Sequence, residues 1–281
     1  MAANASCSEL SLLNGESLAA TAGRADNWIV VEYREPFGHD AVRANGLSAE
    51  IKAHLRARAD ALAPAKLLFV RRGRQRGQAG LSAFWGSSPE RGGRLFRADL
   101  DGYDGLLGLD FASGGEPLDH PLLLVCTNGN HDRCCALHGR PVFEALARAE
   151  PGWAWQSSHL GGHRFAGNLV CLPEGLWFGR VGGADAGPLL EEYRAGRIDL
   201  ARYRGRSCYL PPVQAAERAV REQTGLTGIA DLELLSVEPI RFRAGGRDYQ
   251  VEVEAKPGEP APQSCGADPV RPEGYAAQIV S

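Results

Sequence analysis

Methionine is nearly missing from this chain: it occurs once in 281 residues, against 35 glycines. With the abundant arginine, that imbalance reads as genome composition rather than function. Net charge is also small, at −3, so nothing in the totals favours nucleic acid or an anionic membrane surface. No apolar run approaches the roughly 20 residues that span a bilayer. The first residues, MAANASCSELSLLNGESLAA, lack a basic segment followed by an apolar run, so no secretory signal is expected. The expected compartment is the cytoplasm, where thiols stay reduced. No C-x-x-C dithiol and no nicotinamide or flavin fingerprint occurs.

What the chain does have is an odd set of seven cysteines: Cys7, Cys126, Cys134, Cys135, Cys171, Cys208 and Cys265. In a reducing compartment, clustered cysteine and histidine point to metal or redox chemistry rather than to a disulfide framework. Apolar (44%) and charged (23%) fractions are those of an ordinary globular protein.

Patterning divides the chain into an irregular leader (1–25), an α/β unit (26–118), a second α/β unit (119–200) and a C-terminal part (201–281). In the first unit, NWIVVEYRE, KLLFVRR, LSAFWGSS and RLFRADL read as strands, with a helix over 48–62 capped by Ser48. RRGRQRGQAG, with four arginines, reads as a solvated turn. In the second unit, PLLLVCT is a buried strand ending at Cys126. A helix is expected from Pro141, a strand at WAWQSSH, a hairpin across Pro173 to Gly175, and a helix ending near Gly196. This order predicts a thioredoxin-like α/β sheet with flanking helices. Its loose repetition predicts a tandem pair of such units. The C-terminal part adds a helix, VQAAERAVREQTG, a hairpin turning at Gly245–Gly246 and a loose Pro/Gly-rich tail.

The most informative stretch is WQSSHLGGHRFAGNLVCLPEG. It places His159 and His163 four apart around Gly161 and Gly162. Two glycines argue against a helix and for a tight loop whose backbone approaches something closely. In a thioredoxin-like layout, the end of the first strand and the loop after the second share one sheet edge. Cys126, Cys134 or Cys135, His159 and His163 can therefore converge as a four-ligand set. Zinc accepts such a set, and so does a [2Fe–2S] cluster with His replacing Cys on one iron. His131 and His138 flank the cysteines as substitute ligands. Asp132 reads as a loop cap. Cys171 reads as core, and Trp153, Trp155 and Trp177 as core or shielding aromatics. Cys7, Cys208 and Cys265 stand apart from the set.

CTNG…CCALHGRP followed by SSHLGGHRFAGNLVCLPEG resembles the sucrase/ferredoxin-like family, a branch of the thioredoxin-like [2Fe–2S] ferredoxins, most closely over residues 121 to 200. In those ferredoxins the second ligand pair is Cys-x-x-x-Cys, and here it is His159-x-x-x-His163. Fungal relatives are known for bis-histidinyl, non-Rieske clusters with that pattern. CALHG, matching at Cys135 to Gly139, implies Cys135 rather than Cys134 as the ligand. The resemblance thus implies a [2Fe–2S] cofactor on Cys126, Cys135, His159 and His163, and one-electron transfer with a separate redox partner protein. Arg164, next to His163, is expected to favour the reduced state or to steer an acidic partner. The family's name includes sucrase, but no carboxylate pair stands in a recognisable acid/base motif. A zinc module with the same ligands, or a cluster-free thiol oxidoreductase using Cys126 and Cys134 or Cys135, are the rival expectations.

Overall fold

The computed structural model describes residues 5–73 and 80–281. Its elements, in chain order, begin with α1 (Cys7–Leu13), β1 (Asn27–Glu32), α2 (Ala49–Ala61), β2 (Ala65–Arg71), β3 (Leu81–Ser87), β4 (Arg94–Leu100) and β5 (Glu116–Pro117). The second run comprises β6 (Leu122–Cys126), α3 (Arg133–Ala149), β7 (Ala154–Ser157), β8 (Leu169–Leu172), β9 (Leu176–Phe178) and α4 (Ala186–Arg194). The remainder is β10 (Tyr203–Arg206), α5 (Pro211–Thr224), β11 (Leu232–Val237), β12 (Ile240–Ala244), β13 (Arg247–Ala255), β14 (Ala261–Pro262), β15 (Pro269–Val270) and β16 (Tyr275–Ile279). Arg74 and Arg76 of the arginine-rich turn lie outside the described residues.

One ten-stranded sheet organises the molecule, in the order β10-β9-β8-β6-β7-β2-β1-β3-β4-β5. Within it the same pattern occurs twice. A parallel pair crossed by a helix (β1-α2-β2, β6-α3-β7) is followed by two antiparallel strands on the far side of the first. Each half therefore runs second-first-third-fourth, the thioredoxin-like order expected from the sequence. The halves join where β2 meets β7 antiparallel, with Val70 opposite Ser157 and Arg71 opposite Gln156. The central strand β6 is buried along its whole length, which explains why it reads as a continuous apolar run rather than an alternating one.

Beyond the repeat, β10 pairs with β9 at the sheet edge. Helix α5 starts on prolines, ends at the left-handed Gly225, and packs on a separate four-stranded sheet, β11-β12-β13-β16. The β12–β13 turn places Gly245 and Gly246 both at positive φ, as a two-residue hairpin turn of this kind requires. Glu217 on α5 is buried between Arg206 and Arg221, at 3.3 and 3.1 Å, and accepts the Tyr203 hydroxyl at 2.9 Å. This network fixes α5 to β10. Among the described residues no helix is long and apolar enough to cross a membrane.

Four segments differ from the sequence expectation, one being the first arm of the expected hairpin, which is split into β11 and β12. The irregular leader contains α1, set by a capping box between Ser6 and Glu9. Helix α3 starts at Arg133, eight residues before the expected Pro141, which sits inside it. The C-terminal tail is not loose: β14 and β15 pair, and β16 completes the second sheet.

Candidate metal centre

The two strands that run parallel in the second half deliver the expected side chains to one end of the sheet. Cys126 is the last residue of β6. Cys135 lies in the first turn of α3, which begins at its N-cap Asp132. His159 follows β7, and His163 opens a short 3-10 turn, His163–Phe165. The Nδ1 atom of His159 stands 4.0 Å from Cys126 Sγ and 3.9 Å from Cys135 Sγ. The ligand atoms of Cys126, Cys135 and His159 all fall within 4.8 Å of one another, and so do those of His131, His159 and His163. His159 belongs to both groups.

Local backbone chemistry explains this convergence. Gly139, the glycine of CALHG, faces the strand. A Cβ there would lie 2.0 Å from the Cys126 carbonyl oxygen, so only glycine lets α3 approach β6 and bring Cys135 beside Cys126. The His159–His163 loop turns through two glycines at positive φ, +118° at Gly161 and +69° at Gly162. Arg204, buried on β10, clamps this loop. It donates to the Gly161 carbonyl and to Asn168 Oδ1, and Asn168 in turn donates to the Gly162 carbonyl. A Cβ on Gly162 would lie 2.5 Å from the Arg204 guanidinium. The glycine pair is therefore required both by conformation and by the group packed against it.

The electrostatics suit metal ligation. Cys135 donates its thiol proton toward Cys126, and with a smaller push from His159 this outweighs burial and holds the Cys126 pKa well below the ordinary thiol range. The same bond, with burial, pushes Cys135 up. The pair thus gives up one proton readily and shares the other. Burial lowers the pKa of His163 and His131, favouring the neutral imidazole that a metal requires. Both ring nitrogens of His163 are buried, with the Gln263 backbone acting against burial as a hydrogen-bond partner. Its nearest carboxylate oxygen, Asp132 Oδ2, is 3.9 Å from Nε2.

Exposure is graded across the group. Cys126 and Cys135 are 1% and 0% exposed and belong to the core that includes Trp155, Leu160 and Trp177, whereas the three histidines are half-buried. Loop carbonyls of the first half close one side: Asn128, Asn130 and His131 donate to the carbonyls of Gly38, Phe37 and His39. His131 also stacks on His159, ring centroids 3.6 Å apart.

Of the other sequence candidates, Asp132 caps α3 by accepting the Cys134 amide. Cys134 faces away from Cys126 and toward Cys7 and Cys265, so the two adjacent cysteines serve different pockets. His138 turns to Ser8, at 3.1 Å, not to the histidine group. Arg164 is paired with Glu16 at 2.7 Å and lies over the Phe165 ring. Cys171 is fully buried in the core. Cys7 and Cys265 stand far apart in the sequence, both from each other and from Cys134. The structure brings them together, and only the long-range fold carries that information. Arg204 and Asn168, which hold the ligand loop, carried no signal either.

The sucrase/ferredoxin-like family model matches residues 18–205. Two fungal proteins named altered inheritance of mitochondria protein 32 are similar. That of Eremothecium gossypii is 35% identical over 107 residues, covering 32% of this chain and 34% of the fungal one. That of Meyerozyma guilliermondii is 32% identical over 95 residues, covering 30% and 34%. The matches span about a third of the length of these relatives. Among solved structures, a cysteine-to-serine variant of the thioredoxin-like [2Fe–2S] ferredoxin from Aquifex aeolicus is 18% identical and covers 30% of this chain and 97% of that one, with a TM-score of 0.27.

Proposed function

The chain belongs to the sucrase/ferredoxin-like family, and we propose that it is a one-electron carrier that holds a [2Fe–2S] cluster through Cys126, Cys135, His159 and His163. The observation that carries this reading is the meeting of Cys126, Cys135 and His159, whose ligand atoms all lie within 4.8 Å of one another. His163 stands beside His159, ring centroids 5.1 Å apart, with both ring nitrogens buried.

When bound, the cluster supplies one-electron redox chemistry, at a potential raised because two neutral imidazoles replace two thiolates. The protein's own residues do the rest. Cys126 and Cys135 deliver thiolates from the dry side of the site, backed by Trp155, Trp177 and Leu160. His159 and His163 deliver neutral imidazoles from the wetter side. Arg204 and Asn168 hold the loop between them. The electron donor and acceptor are separate proteins, since the sequence carries no nucleotide or flavin fingerprint of its own.

The test is to purify the protein without oxygen and record its visible spectrum, then repeat this with His163→Cys. Visible bands that bleach with dithionite, and that shift in the variant, are expected. A colourless protein with zinc in the first pocket would replace the electron carrier by a zinc module. A colourless protein with no metal would remove both.

A further inference from the structure

Cysteines from three distant parts of the chain meet at the start of α3, around Asp132. The Cys7 and Cys134 sulfurs are 3.7 Å apart, those of Cys134 and Cys265 3.4 Å, and those of Cys265 and Cys7 3.6 Å. The Asp132 carboxylate lies 3.7 and 3.8 Å from Cys7 Sγ through its two oxygens. All four ligand atoms fall within 4.8 Å of one another.

We propose that Cys7, Cys134, Cys265 and Asp132 form a second metal centre, for a single thiophilic divalent cation of the zinc type, which ties α1 and the C-terminal tail to α3. None of its ligands belongs to the first pocket, although Asp132 also stands 3.9 Å from His163. A tetrahedral ion with Zn–S bonds of about 2.3 Å separates its sulfurs by roughly 3.8 Å. The sulfur triangle is close to that size and nearly equilateral. A disulfide is a poorer account, because it would pair two sulfurs and leave the third with nothing.

The surroundings support a resident ion. Asp132 is itself positioned by the amides of Cys134 and Cys265, each at 2.8 Å, and by the Ser264 hydroxyl at 3.1 Å. Those bonds fix the sulfurs and the carboxylate relative to one another before any ion arrives. Ser8 donates to Cys134 Sγ at 3.3 Å while contacting His138, and Arg133 hydrogen-bonds Cys265, so cationic and polar groups face the negative ligand set. Cys7 and Cys265 lie 258 residues apart in sequence, and the segments that carry them add little apolar surface to the main core. An ion bound to both would replace the packing they lack.

The experiment is elemental analysis of the full-length protein, purified anaerobically from cells supplied with iron and zinc, with iron and zinc counted separately. The expected result is a zinc ion per chain that resists dialysis, with Cys7, Cys134 and Cys265 all shielded from alkylation until a chelator is added. Cys265→Ser should lose that zinc and leave the iron content and visible spectrum unchanged. Because the alkylation pattern is read on the unmodified protein, a variant that fails to fold leaves the test intact. Three thiols that alkylate freely in a chain without zinc, or a Cys134–Cys265 disulfide in the peptide map, would overturn the proposal. Zinc without iron, with the three cysteines shielded, would overturn only the electron-carrier reading, and iron without zinc only this one.

Discussion

Nε2 of His163 and Oδ2 of Asp132 stand 3.9 Å apart, so the carboxylate that caps α3 lies between the histidine group and the three-cysteine pocket. Burial opposes its charge, but the amides of Cys265 and Cys134 outweigh it and hold Asp132 well below the usual carboxylate range. Asp132 is therefore ionised wherever the protein is folded near neutral pH. Its negative charge faces both pockets.

Replacing Asp132 separates its roles. Asn caps helices about as well as Asp, whereas Ala costs about 1 kcal/mol of cap alone. Asp132→Asn should lower zinc retention with a small fall in melting temperature. Asp132→Ala should lower both. Equal zinc content in the wild type and both variants would remove Asp132 from the ligand set.

The adjacent cysteines should respond differently. Cys135→Ser removes a thiol that faces His159, and Cys134→Ser one that faces Cys7 and Cys265. Iron per chain should collapse in the first variant and persist in the second. Loss of iron in the Cys134 variant with retention in the Cys135 variant would reverse the assignment.

Gly139→Ala tests how α3 is seated. The new methyl would meet the Cys126 carbonyl at 2.0 Å, a backbone atom that cannot swing aside. The helix must move, at a cost of about 2 kcal/mol or more by analogy with overpacked cores. Chemical denaturation should show that loss, and iron should bind less tightly. Wild-type stability in this variant would mean that α3 does not pack as described.

Glu217→Gln addresses the C-terminal attachment. The substitution leaves Arg206 and Arg221 buried, at 2% and 0% side-chain exposure, without their shared carboxylate. Breaking a buried pair in this way costs roughly 3–5 kcal/mol. A change below about 1 kcal/mol in urea unfolding would show that water reaches these guanidiniums when the charge is gone.

Much of this architecture was legible because its signals are local. The apolar run of β6, the Ser48 cap, the Gly245–Gly246 turn and the proline start of α5 each declare themselves within a few residues. The start of α3 was not legible: Pro141 looks like a first-turn residue, and the Cys, His and Gly before it are weak helix formers. The real signal was Asp132, whose side chain accepts the Cys134 amide. For the first pocket, the strand-end cysteine and the His-x-x-x-His spacing pointed to residues of which Cys126, Cys135 and His159 do meet, while His163 is grouped with His159 and His131. The second pocket gave no sign, because Cys7 and Cys265 meet Cys134 only through the path of the whole chain. Nor did the tail announce its strands, since β14 and β15 are two residues each and rich in proline.

The junction of β2 with β7 has a wider consequence. None of the grouped candidate ligands comes from residues 26–118, yet the carbonyls of Phe37, Gly38 and His39 wall the first pocket. The two halves thus stand to each other as the subunits of an obligate dimer do, one holding the grouped side chains and the other helping to enclose them. Covalent linkage frees that pairing from dilution: the partner surface is always present, at an effective concentration no expression level can change. One half can then serve as a wall without carrying ligands, which two identical subunits, bound by symmetry, cannot do.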